Sequence, residues 1–473
     1  MDALRSGAAA LCLALVAAAP ADPLDHSVTK LMSAAHIPGM QVLVIDKGRV
    51  TALRSYGVRD VASKAPVDAH TRFEIGSITK QFTAAAILQL KERGKLKLTD
   101  VLATYVPGYA AAKHVTIAQL LGQISGIPEY MAMPAFKALF VTRGGARTIP
   151  QRGDVTRIVA LVKGKPLNFA PGTRWEYSNT NYVLLGRIVE IASGMPWEAY
   201  VRANIFRPAG MDESGFMDDE GTMTDVASGY STLKGSLRRA GAFNGWGGAA
   251  GAIVSTAGDL AKWDAALIGG KLLSADDLAT MLRPGTLPST GPKSHYGYGW
   301  NVNTYDGQRR VWHNGGTLGF TASNQIYPGL SETIVVLANN RYSGEDDIAN
   351  VVFNALHPAL AAAAAKPVAG EDPKVTARVK RVWDAFLSGT LDRSELSDRV
   401  NAELTPAVVA QTAEQLKSLG APTAWTYAGR TATGTTTSYK YRVEFATTGT
   451  TYTLTMSVGA GGKITDFAID EDY

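Results

Sequence analysis

Phe73-Glu74-Ile75-Gly76-Ser77-Ile78-Thr79-Lys80-Gln81-Phe82 is the stretch that decides the fold of this chain. Apolar residues recur at helical spacing after Ser77, which predicts a helix of about a dozen residues that begins at the serine. Ser77 and Lys80 then lie one turn apart on the same face. A serine hydroxyl needs a neighbouring base to act as a nucleophile, and a lysine can be that base when burial lowers its pKa. We therefore take Ser77 and Lys80 as candidate catalytic residues.

The Ser-x-x-Lys spacing is a weak signal alone, because residues 27–30 and 231–234 repeat it. An isolated copy is more often a serine cap followed by a solvated lysine. Ser77 differs from the other two serines because Gly76 permits close backbone approach and the following helix is apolar enough to be buried. These neighbours favour Ser77 as the reactive serine.

Composition and charge describe a globular protein. The 473 residues are 46% hydrophobic and 19% charged, with a formal net charge of +5. That length suggests two or three domains. The charge is small for the length and no basic run stands out, so no nucleic-acid partner is expected.

The N-terminus has the pattern of an export signal. Arg5 precedes an apolar run over residues 8–19, and Ala19-Pro20-Ala21 has a small-x-small cleavage pattern. The run is too short to span a bilayer and no longer one follows, so no stable membrane anchor is expected. We predict a signal peptide over residues 1–21 and a periplasmic or secreted mature chain. The only cysteine, Cys12, lies in the removed segment, so the mature chain would have no disulfide.

Hydrophobic patterns divide the rest of the chain into two α+β domains. Residues 22–358 have strand patterns at both ends and helical patterns between them, which predicts an antiparallel sheet flanked by helices. Within this first domain, residues 131–150 are predicted to be irregular and are a candidate for a segment that covers a binding site. An Ala/Pro-rich stretch over 359–371 predicts a linker. Residues 372–473 have helical patterns followed by Thr-rich alternating strands, which predicts a separate small α+β domain.

Tyr177-Ser178-Asn179 is a second candidate motif, on a loop just before an apolar helix pattern. A tyrosine beside an ammonium group can take the serine proton and pass it to a leaving group. An asparagine amide can bind both a substrate carbonyl and the lysine. The alternative reading, a turn with an asparagine at a helix start, is preferred if this motif is considered alone.

His313-Asn314-Gly315-Gly316 follows an apolar strand and is a third candidate motif. Glycines in an edge strand let a substrate backbone lie alongside, and the N–H of Gly316 can form an oxyanion hole with that of Ser77. The alternative is a surface histidine in a turn. The other histidines lack metal-binding spacing, so no metal site is expected. The sequence has no Gly-x-Ser-x-Gly motif, which argues against an α/β-hydrolase.

Taken in order, Ser77-x-x-Lys80, Tyr177-x-Asn179 and His313-x-Gly315 resemble the three motifs of the serine beta-lactamase and penicillin-recognising superfamily. The class C-like branch, with its D-alanyl-D-alanine carboxypeptidases, D-aminopeptidases and beta-lactamase-like esterases, is the more similar one. The resemblance covers roughly residues 25–357. It implies a beta-lactamase/transpeptidase-like fold, an antiparallel sheet flanked by helices plus an all-helical cluster. The C-terminal domain resembles the small cystatin-like or nuclear-transport-factor-like modules appended to such hydrolases.

The resemblance also implies a mechanism and a set of site residues. Ser77 would form an acyl-enzyme, with Lys80 and Tyr177 as general base and acid. Two amide groups, those of Ser77 and Gly316, would hold the oxyanion. No cofactor is implied. The implied substrate-binding residues are Asn179, His313 and Gly315.

Two positions depart from the superfamily pattern. His313-Asn314-Gly315 stands where beta-lactamases and carboxypeptidases carry Lys-Thr-Gly. A mostly neutral imidazole would replace the cation that meets a substrate carboxylate, which favours esters or peptides that lack the carboxylate. Gly122-Gln123-Ile124-Ser125 replaces the more usual His-Thr-Ser context, with an effect that the sequence does not predict.

The motifs favour an exported serine hydrolase that acts on carboxylic esters or small amides. The alternatives are a D-amino-acid-specific peptidase, of the D-alanyl-D-alanine carboxypeptidase or D-aminopeptidase type, and a weak beta-lactamase. A non-catalytic binding protein is a further alternative. It is disfavoured because all three motifs retain their reactive residues. The expected partner is a small-molecule ester or peptide substrate, and the sequence has no signal for an oligomeric state.

Overall fold

The computed structural model describes residues 22–471, apart from 108, 110–112, 144–145, 234–235, 286–294, 342–346, 365, 367 and 446–450. The predicted signal peptide over 1–21 lies outside the described residues. The strands up to the interdomain region are β1 (Gly39–Asp46), β2 (Arg49–Asp60), β3 (Ala65–Pro66), β4 (Phe73–Glu74), β5 (Val141–Arg143), β6 (Ala146–Thr148), β7 (Gly215–Phe216), β8 (Tyr230–Leu233), β9 (Ser236–Arg239), β10 (Ile253–Ser255), β11 (Asn301–Tyr305), β12 (Gln308–Gly316), β13 (Thr321–Tyr327), β14 (Glu332–Ala338) and β15 (Asn340–Arg341). The helices are α1 (Pro23–Ala34), α2 (Thr79–Glu92), α3 (Ile117–Leu121), α4 (Pro134–Lys137), α5 (Val155–Val162), α6 (Asn179–Ser193), α7 (Trp197–Val201), α8 (Arg207–Ala209), α9 (Ala257–Ile268), α10 (Ala275–Met281), α11 (Asp347–Leu356) and α12 (Pro358–Ala364).

The main sheet combines strands from both ends of the first domain. Its order is β11-β12-β13-β14-β1-β2-β3, and β1 pairs antiparallel with both β14 and β2. Alternate β1 side chains point to opposite faces, so Met40 and Val42 pack towards α1 and α11 while Leu43 lies on the face that packs against α9. The predicted antiparallel sheet, with strands from both ends and helices from the middle, is confirmed.

Helix α2 lies in the middle of the first domain. Its residues from Thr79 to Leu90 are buried, because α6, α9 and the sheet surround it. Phe82 stacks on Trp263 with ring centroids 4.1 Å apart and meets Phe206 edge to face. Lys80, on the opposite face of the helix, is also fully buried.

The start of α2 differs from the sequence prediction. Ser77 is the middle residue of a 3₁₀ turn, Gly76–Ile78, and the α-helix begins at Thr79. A 3₁₀ turn is a common way for a chain to enter an α-helix. The serine therefore precedes the helix by two positions and sits at its positive end.

Two other segments are more regular than predicted. The stretch over 131–150 contains α4 and the antiparallel pair β5–β6. The stretch over 359–371 contains most of α12 (Pro358–Ala364), because alanine is the strongest helix former and proline is accepted in the first turn. The predicted linker is therefore part helix.

The C-terminal domain has three helices, α13 (Pro373–Ser388), α14 (Asp398–Glu403) and α15 (Pro406–Ser418). Four antiparallel strands follow in order, β16 (Pro422–Thr433), β17 (Thr436–Phe445), β18 (Thr451–Val458) and β19 (Ile464–Glu471). The core between the two layers includes Trp383, Tyr441 and Leu454. The predicted separate α+β domain is confirmed. Strand β16 was not predicted from the sequence, and in the structure two bulges interrupt its pairing with β17.

The two domains are joined by an ion pair as well as by the chain. Arg442 on β17 donates to Asp306 Oδ1 at 2.7 Å, and Asp306 occupies the β11–β12 turn. Only 3% of the Asp306 side chain is exposed. No helix in the described ranges is both long enough and apolar enough to span a membrane.

Candidate active site

Ser77, Lys80 and Tyr177 form one hydrogen-bonded group. Lys80 Nζ lies 2.9 Å from Ser77 Oγ, and the Tyr177 hydroxyl donates to the same oxygen at 2.9 Å. Lys80 Nζ also lies 4.9 Å from the centre of the Tyr177 ring. Lys80 and Tyr177, which are about a hundred positions apart in the sequence, therefore meet at one serine oxygen.

The environment of Lys80 favours its neutral form. Burial lowers the pKa of Lys80 to about 7, because the ammonium form loses its hydration, while the charge of Glu129 acts in the opposite direction. Near neutral pH a large fraction of Lys80 is therefore an amine that can accept a proton.

Two carbonyl oxygens orient the Lys80 amine. Nζ donates to Asn179 Oδ1 at 2.8 Å and to the backbone oxygen of Ala250 at 2.8 Å. A neutral amine has two hydrogens and one lone pair, so these two acceptors occupy both hydrogens. The lone pair is then directed at the remaining neighbour, Ser77 Oγ, which is the arrangement needed to remove its proton.

Gly76 and Gly315 allow β12 to approach the serine turn. Gly76 has a φ of +51°, and a Cβ there would lie 2.7 Å from Gly316 N. A Cβ on Gly315 would lie 1.9 Å from the Ile75 carbonyl oxygen. Gly315, predicted to bind substrate, thus has a steric role in bringing the strand against the turn that carries Ser77.

The N–H of Gly316 points away from β13. The Thr317 N–H donates to the Phe320 oxygen at 3.1 Å, and Gly316 faces Thr321 in the next pair. Hydrogen-bonded and non-bonded pairs alternate along an antiparallel ladder, so the Gly316 amide is directed to the other edge of β12. At that edge β11 pairs no further than Trp312, and the serine turn lies there instead. This is the orientation that the predicted oxyanion hole needs.

His313 lies beside the group but its ring is occupied. Nδ1 lies 2.6 Å from the Asn314 carbonyl oxygen and Nε2 lies 2.9 Å from the Tyr296 hydroxyl. The carbonyl only accepts, so Nδ1 carries the hydrogen and Nε2 accepts from Tyr296. The residue is 1% exposed, and burial together with Lys80 lowers its pKa to about 3. His313 is buried and neutral, unlike the surface histidine of the alternative interpretation, and its ring offers no cation to a substrate.

Gln123 holds the loop that carries the second motif. Its Oε1 accepts the backbone N–H of Ser178 at 3.1 Å and Asn181 Nδ2 at 2.6 Å, and its own backbone oxygen accepts the Glu176 N–H. It is fully buried with a φ of +60°, which is uncommon for a side chain of this type. The position where the sequence departs from His-Thr-Ser therefore positions Tyr177 from both sides.

Three contributors to the site were not found by sequence reasoning. Ala250 acts through its backbone oxygen, and its only signal was the glycine-dense loop over 245–251. Glu129 accepts the backbone N–H of Asn179 with its carboxylate, and nothing in the sequence separates it from a solvated acid. Tyr296, whose hydroxyl lies against His313, also packs against Tyr177 with ring centroids 6.3 Å apart.

The other copies of Ser-x-x-Lys do not resemble this site. Lys30 is exposed on α1, and Lys234 lies outside the described residues. Across the described part of the chain, no group of three or more His, Cys, Asp or Glu side chains is placed to hold a metal ion.

This fold, with a Ser-x-x-Lys serine turn facing a Tyr-x-Asn loop and a glycine-bearing strand, defines a member of the serine beta-lactamase and penicillin-binding-protein-like superfamily. The chain belongs to the Beta-lactamase family, whose family model matches residues 24–358.

Known proteins with similar sequences and structures support this membership. Protein flp of Staphylococcus aureus (strain MRSA252) is 31% identical over 328 residues, which cover 67% of this chain and 61% of that protein. This chain thus spans about three fifths of the length of that relative. The octameric penicillin-binding protein homologue from Pyrococcus abyssi superposes with a TM-score of 0.62 at 26% identity, covering 92% of this chain and 89% of that one. A D-stereospecific amidohydrolase from Streptomyces sp. has a TM-score of 0.59 at 25% identity, covering 70% of this chain and 97% of that one.

Proposed function

We propose that this protein is a serine hydrolase that forms an acyl-enzyme on Ser77 and acts on carboxylic esters or small amides. The observation that carries the proposal is the buried Lys80, whose hydrogens are taken by two carbonyl oxygens while Ser77 Oγ lies 2.9 Å from Nζ. A solvated lysine would be protonated at neutral pH and could not accept the serine proton.

The proposed reaction begins when Lys80 Nζ takes the Ser77 proton and Oγ attacks the carbonyl carbon of the substrate. The backbone N–H groups of Ser77 and Gly316 stabilise the negative charge on the former carbonyl oxygen. The proton passes from Lys80 through the Tyr177 hydroxyl to the departing alcohol or amine, which leaves the acyl group on Ser77. Water then adds to the acyl carbon and gives its proton to the same pair, and Ser77 leaves with a proton.

The site favours substrates without a carboxylate beside the reacting carbonyl. His313 is neutral and its two ring nitrogens are occupied, so it cannot replace the lysine of Lys-Thr-Gly. Aromatic rings extend from the site to the surface: the Tyr296 ring lies 6.3 Å from that of Tyr177 and 6.2 Å from that of Trp175, which is 40% exposed. Such a surface suits an uncharged, partly apolar acyl group.

A second candidate is the hydrolysis of D-amino-acid amides or peptides, of the D-aminopeptidase or D-alanyl-D-alanine carboxypeptidase type. The similarity to the Streptomyces D-stereospecific amidohydrolase favours it. Beta-lactam hydrolysis would be weak, because the cation that meets the beta-lactam carboxylate is absent from position 313.

We also propose that the protein is exported and acts in the periplasm or outside the cell. The basic residue, apolar run and small-x-small pattern over 1–21 support this. Cell fractionation of the full chain beside one that lacks residues 1–21 tests it, since only the full chain should leave the cytoplasm.

The central experiment is hydrolysis of p-nitrophenyl butyrate by purified residues 22–473, with Ser77→Ala beside it. Loss of activity in Ser77→Ala is expected. Activity retained in Ser77→Ala would overturn the assignment of the nucleophile. If neither protein acts on the ester, a D-phenylalanine amide and an L-phenylalanine amide decide between the second candidate and a non-catalytic binding protein.

A further inference from the structure

The Glu129 carboxylate is held at the start of α6 by two backbone donors. Its Oε1 accepts the Met131 N–H at 2.9 Å, and its Oε2 accepts the N–H of Asn179. Asn179 is the first residue of α6, a helix of 15 residues whose N-terminus carries partial positive charge. Two donors and a helix end therefore hold one anion in a largely buried position.

Asn179 connects this anion to the catalytic lysine. While its backbone N–H donates to Glu129, its side-chain Oδ1 accepts from Lys80 Nζ at 2.8 Å. One residue thus contacts the carboxylate with its backbone and the amine with its side chain. A change at Glu129 would reach Lys80 through both the position of Asn179 and the electrostatic field.

The charges of Lys80 and Glu129 each offset part of the pKa shift that burial causes in the other group. Burial lowers the pKa of Lys80, and Glu129 raises it in part. Burial likewise raises the pKa of Glu129, while the Met131 and Asn179 N–H groups and Lys80 oppose that increase. Among the described residues, the other side chains near Lys80 are Ser77, Tyr177, the Tyr182 ring at 5.7 Å and His313, whose pKa is lowered by burial.

We propose that Glu129 is a positioning residue that fixes Asn179 against Lys80 and, by its negative charge, sets the pH at which Lys80 becomes a base. The inference rests on the proposed function, because it needs Lys80 to act as the base for Ser77. Without Glu129 the ammonium form of Lys80 loses its buried counter-charge, so the neutral form should persist to lower pH.

Glu129→Gln tests the charge with little change of shape. One amide oxygen can still accept a backbone N–H, whereas the negative charge is gone. The acidic limb of the kcat/KM profile should move to lower pH by about one unit, which is the smaller end of the effect expected for a close opposite charge. Glu129→Asp keeps the charge but shortens the reach to Asn179, so it should lower kcat with the limb near its original pH.

Gln123→Met is the matched control for position without charge. Gln123 also holds the first turn of α6, through Ser178 and Asn181, but it is uncharged. This variant should lower kcat and leave the acidic limb where it was. The labelling rate of Ser77 by a fluorophosphonate, followed against pH, measures the same limb without substrate turnover. Circular dichroism shows which variants are folded. If Glu129→Gln is not folded, Glu129→Asp takes its place, because a retained charge should keep the acidic limb near its original pH.

Two results would overturn the inference. One is an acidic limb that stays in place in Glu129→Gln, and the other is an equal shift in Gln123→Met. With Glu129→Gln unfolded, an acidic limb that moves in Glu129→Asp, although the negative charge is retained there, would do the same. Hydrolysis that persists in Ser77→Ala is a different outcome, because it overturns the proposed function itself. An activity that requires Ser77 but has the same pH profile without the Glu129 charge overturns only this inference.

Discussion

The backbone oxygen of Ala250 accepts a hydrogen bond from Lys80 Nζ at 2.8 Å, although 170 positions separate the two residues in sequence. Ala250 ends a short 3₁₀ turn in the glycine-dense loop that precedes β10. Because this carbonyl and Asn179 Oδ1 take both hydrogens of the neutral amine, the lone pair has one direction left, towards Ser77. The fold therefore affects Lys80 in two separate ways: burial lowers its pKa, and the two acceptors direct its lone pair.

Lys80→Met should reduce kcat for p-nitrophenyl butyrate by about 10²–10⁴-fold, the usual contribution of a general base. Methionine has a similar length and leaves Ser77 without a proton acceptor at this position. Lys30→Met is the control, because Lys30 belongs to another Ser-x-x-Lys copy and is exposed on α1. Its activity should match the wild type, and an equal loss in both variants would contradict the assignment of Lys80.

The rate should rise with pH through the titration of Lys80. Its pKa is lowered to about 7 by burial, and only the neutral form accepts the Ser77 proton. The value of kcat/KM should therefore fall about tenfold for each pH unit below that point and level off above it. Stopped-flow or steady-state ester hydrolysis between pH 5 and pH 9 measures this profile. A profile that stays level across this range would exclude Lys80 as the titrating base.

Gly315→Ala should abolish activity and destabilise the protein by about 1–3 kcal/mol, the common cost of overpacking. The added methyl group would lie 1.9 Å from the Ile75 oxygen and would force β12 away from the serine turn. Gly164→Ala is the matched control, because no atom lies within 4 Å of the position of its Cβ. Urea unfolding and ester hydrolysis of both variants check the prediction, and an active, stable Gly315→Ala protein would refute it.

The ion pair between Arg442 and Asp306 should couple the two domains. Arg442→Ala should lower the thermal midpoint, because it leaves Asp306, a carboxylate with a side chain only 3% exposed, without this partner. Asp306→Asn preserves the shape and tolerates the positive φ of 45° at that position. Thermal unfolding of both single variants and of the double variant tests the coupling. If Arg442→Ala costs as much in the Asp306→Asn background as in the wild type, the pair does not couple the domains.

Trp175→Ala should change the preference for acyl groups more than the chemistry. Trp175 is 40% exposed and lies beside Tyr296, with ring centroids 6.2 Å apart. The ratio of kcat/KM for p-nitrophenyl octanoate to that for p-nitrophenyl acetate should fall, because a longer chain buries more apolar area. Ile268→Ala, an exposed apolar residue at the end of α9, should leave the ratio unchanged. An unchanged ratio in Trp175→Ala would remove this surface from the acyl site.

The amino-acid sequence by itself determined the fold class and indicated the candidate reactive residues. Hydrophobic periodicity is a local property, so it identified the buried helix behind Ser77, the paired strands and the separate C-terminal domain. The order of Ser77-x-x-Lys80, Tyr177-x-Asn179 and His313-x-Gly315 was specific enough to indicate the superfamily. Local patterns were weaker at boundaries, as the 3₁₀ turn at Ser77 and the helix within 359–371 illustrate.

Only the tertiary structure decided what each residue faces. A carbonyl such as that of Ala250 has no side-chain signature, yet it orients the lysine. The sequence shows a glutamate at position 129 whether its carboxylate is solvated or accepts the Asn179 N–H, as it does in the structure. His313 was expected to be mostly neutral, but its neutrality arises from burial and from two occupied ring nitrogens, which depend on Tyr296 and Asn314. Burial and hydrogen-bond direction are set by contacts between distant segments, so they follow from the packed chain and not from the order of its residues.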